Sequence, residues 1–171
     1  DLQVLRGGTA LLDSGGVKLI KVEFELAEAW VGQSWYGEID QFLRVRGYDL
    51  VGIEINFIRP ANVRNVAHFG EPVWGKALYA PCDRLWRSRI QEAGADCTRD
   101  DIIKAIALYV AAEVPGRSFD LVDLAVFAGK LNATDGDIIK RDITEVFRWA
   151  RVEQGLGILR ELASKALRRV F

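Results

Sequence analysis

The chain contains no methionine, one histidine and two cysteines. Because a complete reading frame begins with methionine and this chain begins in what reads as the interior of a helix, we expect a fragment whose amino-terminal part is missing. Cys82 and Cys97 lack CxxC spacing, and His68 alone cannot complete a zinc site with them. We therefore predict no metal, and we interpret both cysteines as reduced thiols of a cytoplasmic protein.

An excess of charge of one sign is also missing, since 23 basic side chains stand against 24 acidic ones. This balance gives no reason to expect nucleic acid or an anionic membrane as a partner. No apolar run approaches the roughly 18 residues that a membrane span requires. Half of the residues are hydrophobic, which is ample for a core, so the composition predicts a soluble globular protein.

Several catalytic signatures are absent as well. The pairs Gly7-Gly8 and Gly15-Gly16 lack the G-x-G-x-x-G order and the strand-to-helix context of a phosphate loop. Neither G-x-S-x-G nor HExxH occurs. The sequence therefore gives no support to a hydrolase or a metalloprotease.

A strand, a loop and a helix are predicted between Val17 and Tyr48. Apolar residues lie on both faces of the strand from Val17 to Leu26, which indicates a central, parallel strand. The period becomes helical from Trp35, and Gly47 marks the end of that helix. The loop between them, Ala27 to Ser34, is where ligands bind if the sheet is an open α/β sheet.

Three segments match a family pattern in the right order. They are a Leu-x-Val-Leu-x-Gly segment, a strand with a glutamate followed by an aromatic-x-Gly-Gln turn and a helix, and a Trp-Gly-x-Ala-Leu-aromatic strand. The matching residues are Leu2, Val4, Leu5, Arg6 and Gly7; Glu23, Trp30, Gly32, Gln33, Glu38, Ile39, Asp40, Leu43, Gly47 and Tyr48; and Trp74, Gly75, Ala77, Leu78 and Tyr79. This stretch, about residues 1–81, resembles the C-terminal half of FkbM-family methyltransferases, although Gly8 replaces the usual alanine and Trp30 the usual tyrosine.

The resemblance implies an α/β fold: the carboxyl-terminal part of a Rossmann-like methyltransferase sheet. The strands that begin near Val17 and Leu50 would run parallel, and the Val73–Tyr79 strand would be inserted antiparallel between them. The Leu50–Ile58 strand has one polar face, which suits a sheet edge. Residues 82–171 have helical periodicity throughout and form a predicted helical extension, so the domains are 1–81 and 82–171.

The resemblance also implies transfer of a methyl group from S-adenosylmethionine to an oxygen of a small metabolite or sugar. The cofactor-binding half would precede residue 1, so no residue that contacts the cofactor is named, and the fragment alone should be inactive. Glu23 is a candidate for proton transfer or ligand binding, but it could also lie just past the sheet rim. His68 is a candidate base, or a solvated histidine in the loop after the Leu50 strand.

Trp30, Gln33, Trp35 and Tyr36 are candidate substrate-binding residues, with core packing as the alternative for the aromatic ones. A second function class stays open: a non-enzymatic interaction module built on a degenerate methyltransferase sheet. Apolar stripes on the four predicted helices also suggest self-association through the helical extension, against a self-contained bundle. The inward-facing residues of these stripes include Leu121, Leu124 and Phe127.

Overall fold

The computed structural model describes residues 1–28, 30–58, 70–92 and 97–153, and for 92 and 149–153 the backbone alone. The chain divides into two compact units, Asp1–Cys82 and Asp83–Phe171. The elements of the first unit are α1 (Leu2–Gly7), α2 (Thr9–Asp13), β1 (Ile20–Glu25), α3 (Tyr36–Arg44), β2 (Tyr48–Ile58) and β3 (Glu71–Pro81). Those of the second are α4 (Asp83–Glu92), α5 (Arg99–Ala111), α6 (Pro115–Phe127) and α7 (Ala133–Glu153).

The three strands form a sheet in the order β1-β3-β2. β1 pairs with β3 from Ile20 opposite Tyr79 to Glu25 opposite Trp74. β2 pairs with β3 along its whole length, with irregularities between Leu50 and Gly52 and between Asn56 and Phe57. Both pairings are antiparallel, so β1 and β2 run in the same direction with β3 between them.

The predicted Rossmann-like sheet is therefore wrong: every strand pairing in the described part of the chain is antiparallel. β1, predicted to be central and parallel, is an edge strand. Parallel sheets bury both faces of their strands, whereas Lys21 and Glu23 on β1 are exposed and only Val22 and Phe24 are buried. The alternation of these residues belongs to a strand with one covered face.

Helix α3 covers the face of the sheet that carries Val22 and Phe24. Ile39 and Leu43 are fully buried, and α3 packs on β1 and β2. The ring of Phe24 lies over Gly75 of β3, where any Cβ would meet Phe24 Cζ at 2.5 Å. The helix was predicted at this place, and Gly47, with φ of 83°, follows it in the left-handed conformation that favours glycine.

α3 is too short to cover the whole sheet face. Its nine residues span about 14 Å at the rise of an α-helix, whereas the eleven residues of β2 span about 36 Å. β2 is an edge strand, as predicted. The apolar residues toward its end are exposed: Ile53, Ile55, Phe57 and Ile58.

The chain begins in a helix, as its first residues indicate, but this helix is interrupted. Two short helices form, because Gly8 (φ −88°, ψ 11°) leaves the helical conformation between them. Leu2 and Leu12 are buried, whereas Val4 and Leu11 are exposed. The hydroxyl of the fully buried Tyr48 donates to the carbonyl oxygen of Leu12 at 3.2 Å and holds the end of α2.

Helix α5 begins with a capping box, since Thr98 Oγ1 accepts from the Asp101 N–H and Asp101 accepts from the Thr98 N–H. Pro115 occupies the first turn of α6, and Ser118 is fully buried inside that helix. Phe127, predicted to face inward, is 77% exposed. The end of the predicted helical extension, residues 154–171, lies outside the described residues.

Candidate functional site

The side chain of Gln33 connects two described positions of the loop between β1 and α3. Gln33 Nε2 donates to the Ala27 carbonyl oxygen at 2.8 Å, and Gln33 Oε1 accepts from the Trp30 N–H at 3.0 Å. Gly32, with φ of 79°, makes the turn between Trp30 and Gln33. At the loop's end the Glu38 carboxylate accepts from the Trp35 N–H at 3.0 Å.

Three apolar side chains are exposed on this loop. Trp30 is 60% exposed, Val31 is fully exposed and Trp35 is 42% exposed. Tyr36 is half-buried, with its ring 4.7 Å from that of Phe24. Of the aromatic residues predicted to bind substrate, Trp30 and Trp35 thus lie on the loop and Tyr36 begins α3, while the amide of Gln33 hydrogen-bonds the loop backbone.

Glu23 does not join this group. Glu23 and Phe24 are consecutive in β1, so their side chains lie on opposite faces of the sheet. Tyr36 packs on the Phe24 face, and Glu23 is on the other face. There its largely exposed carboxylate forms an ion pair with Lys76 Nζ at 3.5 Å. His68 lies outside the described residues.

A polar cluster that joins α3 to β3 was not predicted. The Tyr79 hydroxyl donates to Asp40 Oδ1 at 2.9 Å, and Arg44 Nε donates to Asp40 Oδ2 at 2.8 Å. The hydrogen bond and charge of Asp40 raise the pKa of Arg44 above its usual value. In sequence, the spacing of Asp40 and Arg44 by four residues is the visible signal of this cluster.

The pKa of Tyr79 is raised well above 10.0, first by burial and then by its hydrogen bond to Asp40. The folded chain therefore keeps a proton that the unfolded chain releases above about pH 10. The contribution of Tyr79 to stability is complete below that pH and is lost as the pH rises further.

We therefore expect Tyr79→Phe to lower the free energy of unfolding at about pH 8 by roughly 1.5–3 kcal/mol, because a buried bond to a charged acceptor is removed. Urea titrations at about pH 8, 10 and 11 measure this. The variant should lose less stability than the wild type over the alkaline interval. Equal alkaline losses in both proteins would contradict the role given to the Tyr79 proton.

A shallow cleft of about 310 Å³ lies beside α3. Its lining residues are Arg6, Glu38, Gln41, Phe42, Val45 and Arg46. The Arg46 guanidinium carbon is 3.7 Å from the centre of the Phe42 ring, so this arginine already stacks on an aromatic partner. Among the residues that the structure describes, this lining mixes both charges and holds no cysteine, serine or histidine that could act as a nucleophile or as an imidazole base.

In the portion of the chain that the structure describes, no group of three or more histidine, cysteine, aspartate or glutamate residues is placed to hold a metal ion. No helix in that portion is long and apolar enough to cross a membrane. No family model, no curated protein and no solved structure matches this chain. The resemblance to FkbM-family methyltransferases thus rests on the sequence motifs.

Proposed function

We propose that residues 1–82 belong to an S-adenosylmethionine-dependent methyltransferase that methylates an oxygen of a small metabolite or sugar. The resemblance of the three sequence segments supplies the reaction class. Within this proposal S-adenosylmethionine is the methyl donor, and no residue of this chain is assigned to its binding.

The observation that carries the placement of the acceptor is a loop with exposed aromatic side chains. The Gln33 side chain hydrogen-bonds the backbone of Ala27 and Trp30, and the side chains of Trp30 and Trp35 are exposed. Flat aromatic faces bind sugar rings and other small molecules with polar edges. Methyl transfer depends mainly on holding donor and acceptor in line, so a positioning surface is the contribution expected of this loop.

Within this proposal Trp30, Trp35 and Tyr36 contact the acceptor, and Gln33 positions them. Glu23 is a separate candidate, because its carboxylate leaves the other face of the sheet. His68 stays a predicted base. We propose a cytoplasmic location, in keeping with the free thiols of Cys82 and Cys97.

The test uses the full-length protein that contains residues 1–171, with tritiated S-adenosylmethionine and a panel of hydroxylated metabolites and sugars. We expect methyl transfer to at least one acceptor. Trp30→Ala should raise KM for that acceptor about tenfold, as for the loss of one aromatic contact. Trp74→Ala is the matched control, because Trp74 stands next to Gly75 in β3 and so lies on the face away from Phe24. The KM of this variant for the acceptor should stay unchanged.

A folded full-length protein that neither binds S-adenosylmethionine nor methylates any acceptor would refute the reaction class. Transfer with an unchanged KM in Trp30→Ala would refute only the role of the loop. The competing function is a non-enzymatic interaction module, and the observation that favours it is the exposed apolar end of β2. Absence of donor binding in the same assay would select that module.

A further inference from the structure

The free edge of β2 is an unusual surface for a chain that works alone. β2 has eleven residues and ends the sheet order, so its outer backbone groups have no strand partner in the described structure. Ile53 and Ile55 lie on the same sheet face as their partners Ala77 and Gly75, and they are 49% and 38% exposed. Long apolar edges of this kind pair with other strands unless charges or prolines block them.

β2 carries few such blocking residues. Between Gly52 and Ile58 the one charged side chain is Glu54, and it lies opposite Lys76 of β3. Lys76 Nζ forms its ion pair with Glu23 at 3.5 Å, so Glu54 is the one charge that could oppose strand pairing on this stretch. The exposed Phe57 and Ile58 continue the apolar character to the end of the strand.

The sequence of β2 is complementary to itself in one antiparallel register. If two copies pair with Ile55 opposite Ile55, then Ile53 lies opposite Phe57 and Glu54 opposite Asn56. Directly opposite residues share a face, so the apolar pairs fall on one side and the polar pairs on the other. The neighbouring register, centred on Glu54, would place two carboxylates opposite each other and is disfavoured.

Asn56 gives a second reason for the first register. Its side-chain nitrogen is buried without a hydrogen-bond partner among the described residues. Such a group costs free energy unless an acceptor is supplied. In the register centred on Ile55, Glu54 of the second copy lies directly opposite Asn56, so its carboxylate can supply that acceptor.

We propose that two copies of this chain associate through antiparallel pairing of their β2 strands, with the two-fold axis at Ile55, to form one continuous six-stranded sheet. This inference does not depend on the proposed methyl transfer. It also differs from self-association through the helical unit, which the same experiment tests.

The mass of the 171-residue chain in solution tests the proposal, measured by light scattering across a range of concentrations. We expect the wild type to approach twice the 19.1 kDa mass of one chain. Ile55→Lys brings two ammonium groups together at the axis and should raise the dissociation constant at least about tenfold. Phe127→Lys changes an exposed side chain of α6 and should leave the dissociation constant unchanged.

A wild type that stays monomeric at high concentration overturns the proposal. So does a dimer that survives Ile55→Lys, and loss of the dimer in Phe127→Lys would point to the helical unit instead. Far-ultraviolet circular dichroism shows whether Ile55→Lys remains folded. If it does not, the cysteine variants below decide.

Cysteine variants test the register itself. Ile55→Cys places two thiols opposite each other at the axis, within the range of a disulfide, and should yield a covalent dimer under mild oxidation. Ile53→Cys is the matched control, because that cysteine faces Phe57 of the other copy and should not cross-link. The wild type controls for Cys82 and Cys97. Equal cross-linking by both variants, or none by Ile55→Cys, contradicts the register.

Discussion

Gly75→Ala is expected to be among the most destabilising single substitutions in residues 1–82, with a loss of about 3 kcal/mol in the free energy of unfolding. A Cβ at this position would overlap the carbonyl oxygen of Glu54 and lie 2.5 Å from Phe24 Cζ. The oxygen belongs to the backbone of β2, which pairs with β3 on both sides of this point. Neither neighbour can withdraw without breaking strand pairing or displacing a core ring.

Urea unfolding of the purified chain measures the loss, with Gly37→Ala as the matched control. Gly37 lies in α3, and an added Cβ there meets no heavy atom within 4 Å. Alanine is the better helix former, so this variant should gain up to about 1 kcal/mol. A similar loss in both variants would show that close packing at Gly75 is not the cause.

The local elements could be predicted from the sequence because their patterns report directly on burial. Val22 and Phe24 alternate with charged residues, and both are buried. Ile39 and Leu43 repeat at helical spacing, and both are fully buried on the inner side of α3. These patterns depend on neighbours in the chain. Short-range patterns therefore located β1 and α3, although the strand was predicted from Val17 and begins at Ile20.

Strand direction could not be predicted in the same way. Alternation tells which residues face the core, but it is identical in parallel and antiparallel pairs. The apolar residues before Ile20 suggested a strand covered on both faces, whereas Val17 and Leu19 precede β1 and belong to the connection. Without them, the exposed Lys21 and Glu23 mark β1 as covered on one face.

The candidate site was predicted in part. The aromatic residues of the loop were identified, but the role of Gln33 was not. Its hydrogen bonds to Ala27 and Trp30 depend on a turn, and Gly32 is the one sequence signal of that turn. The bond from Tyr79 to Asp40 joins residues 39 positions apart. No local pattern reports a contact of that kind, which requires α3 to be placed on the sheet.

Phe24→Ala is expected to lower the free energy of unfolding by about 3–5 kcal/mol, since it removes a buried ring. Phe24 is 2% exposed, lies over Gly75 and contacts the ring of Tyr36. Phe127→Ala is the control of the same chemistry: that ring is 77% exposed, and its removal should change stability by no more than about 0.5 kcal/mol.

Phe24 and Gly75 should also be coupled, because one of the two contacts that exclude a Cβ at residue 75 is the Phe24 ring itself. In the double variant Phe24→Ala with Gly75→Ala, the new methyl group enters space that the ring has left, although the Glu54 carbonyl still opposes it. The combined loss should therefore be smaller than the sum of the two single losses by about 1 kcal/mol. Strict additivity in urea titrations would mean that the backbone of β2, and not the ring, sets the whole cost at Gly75.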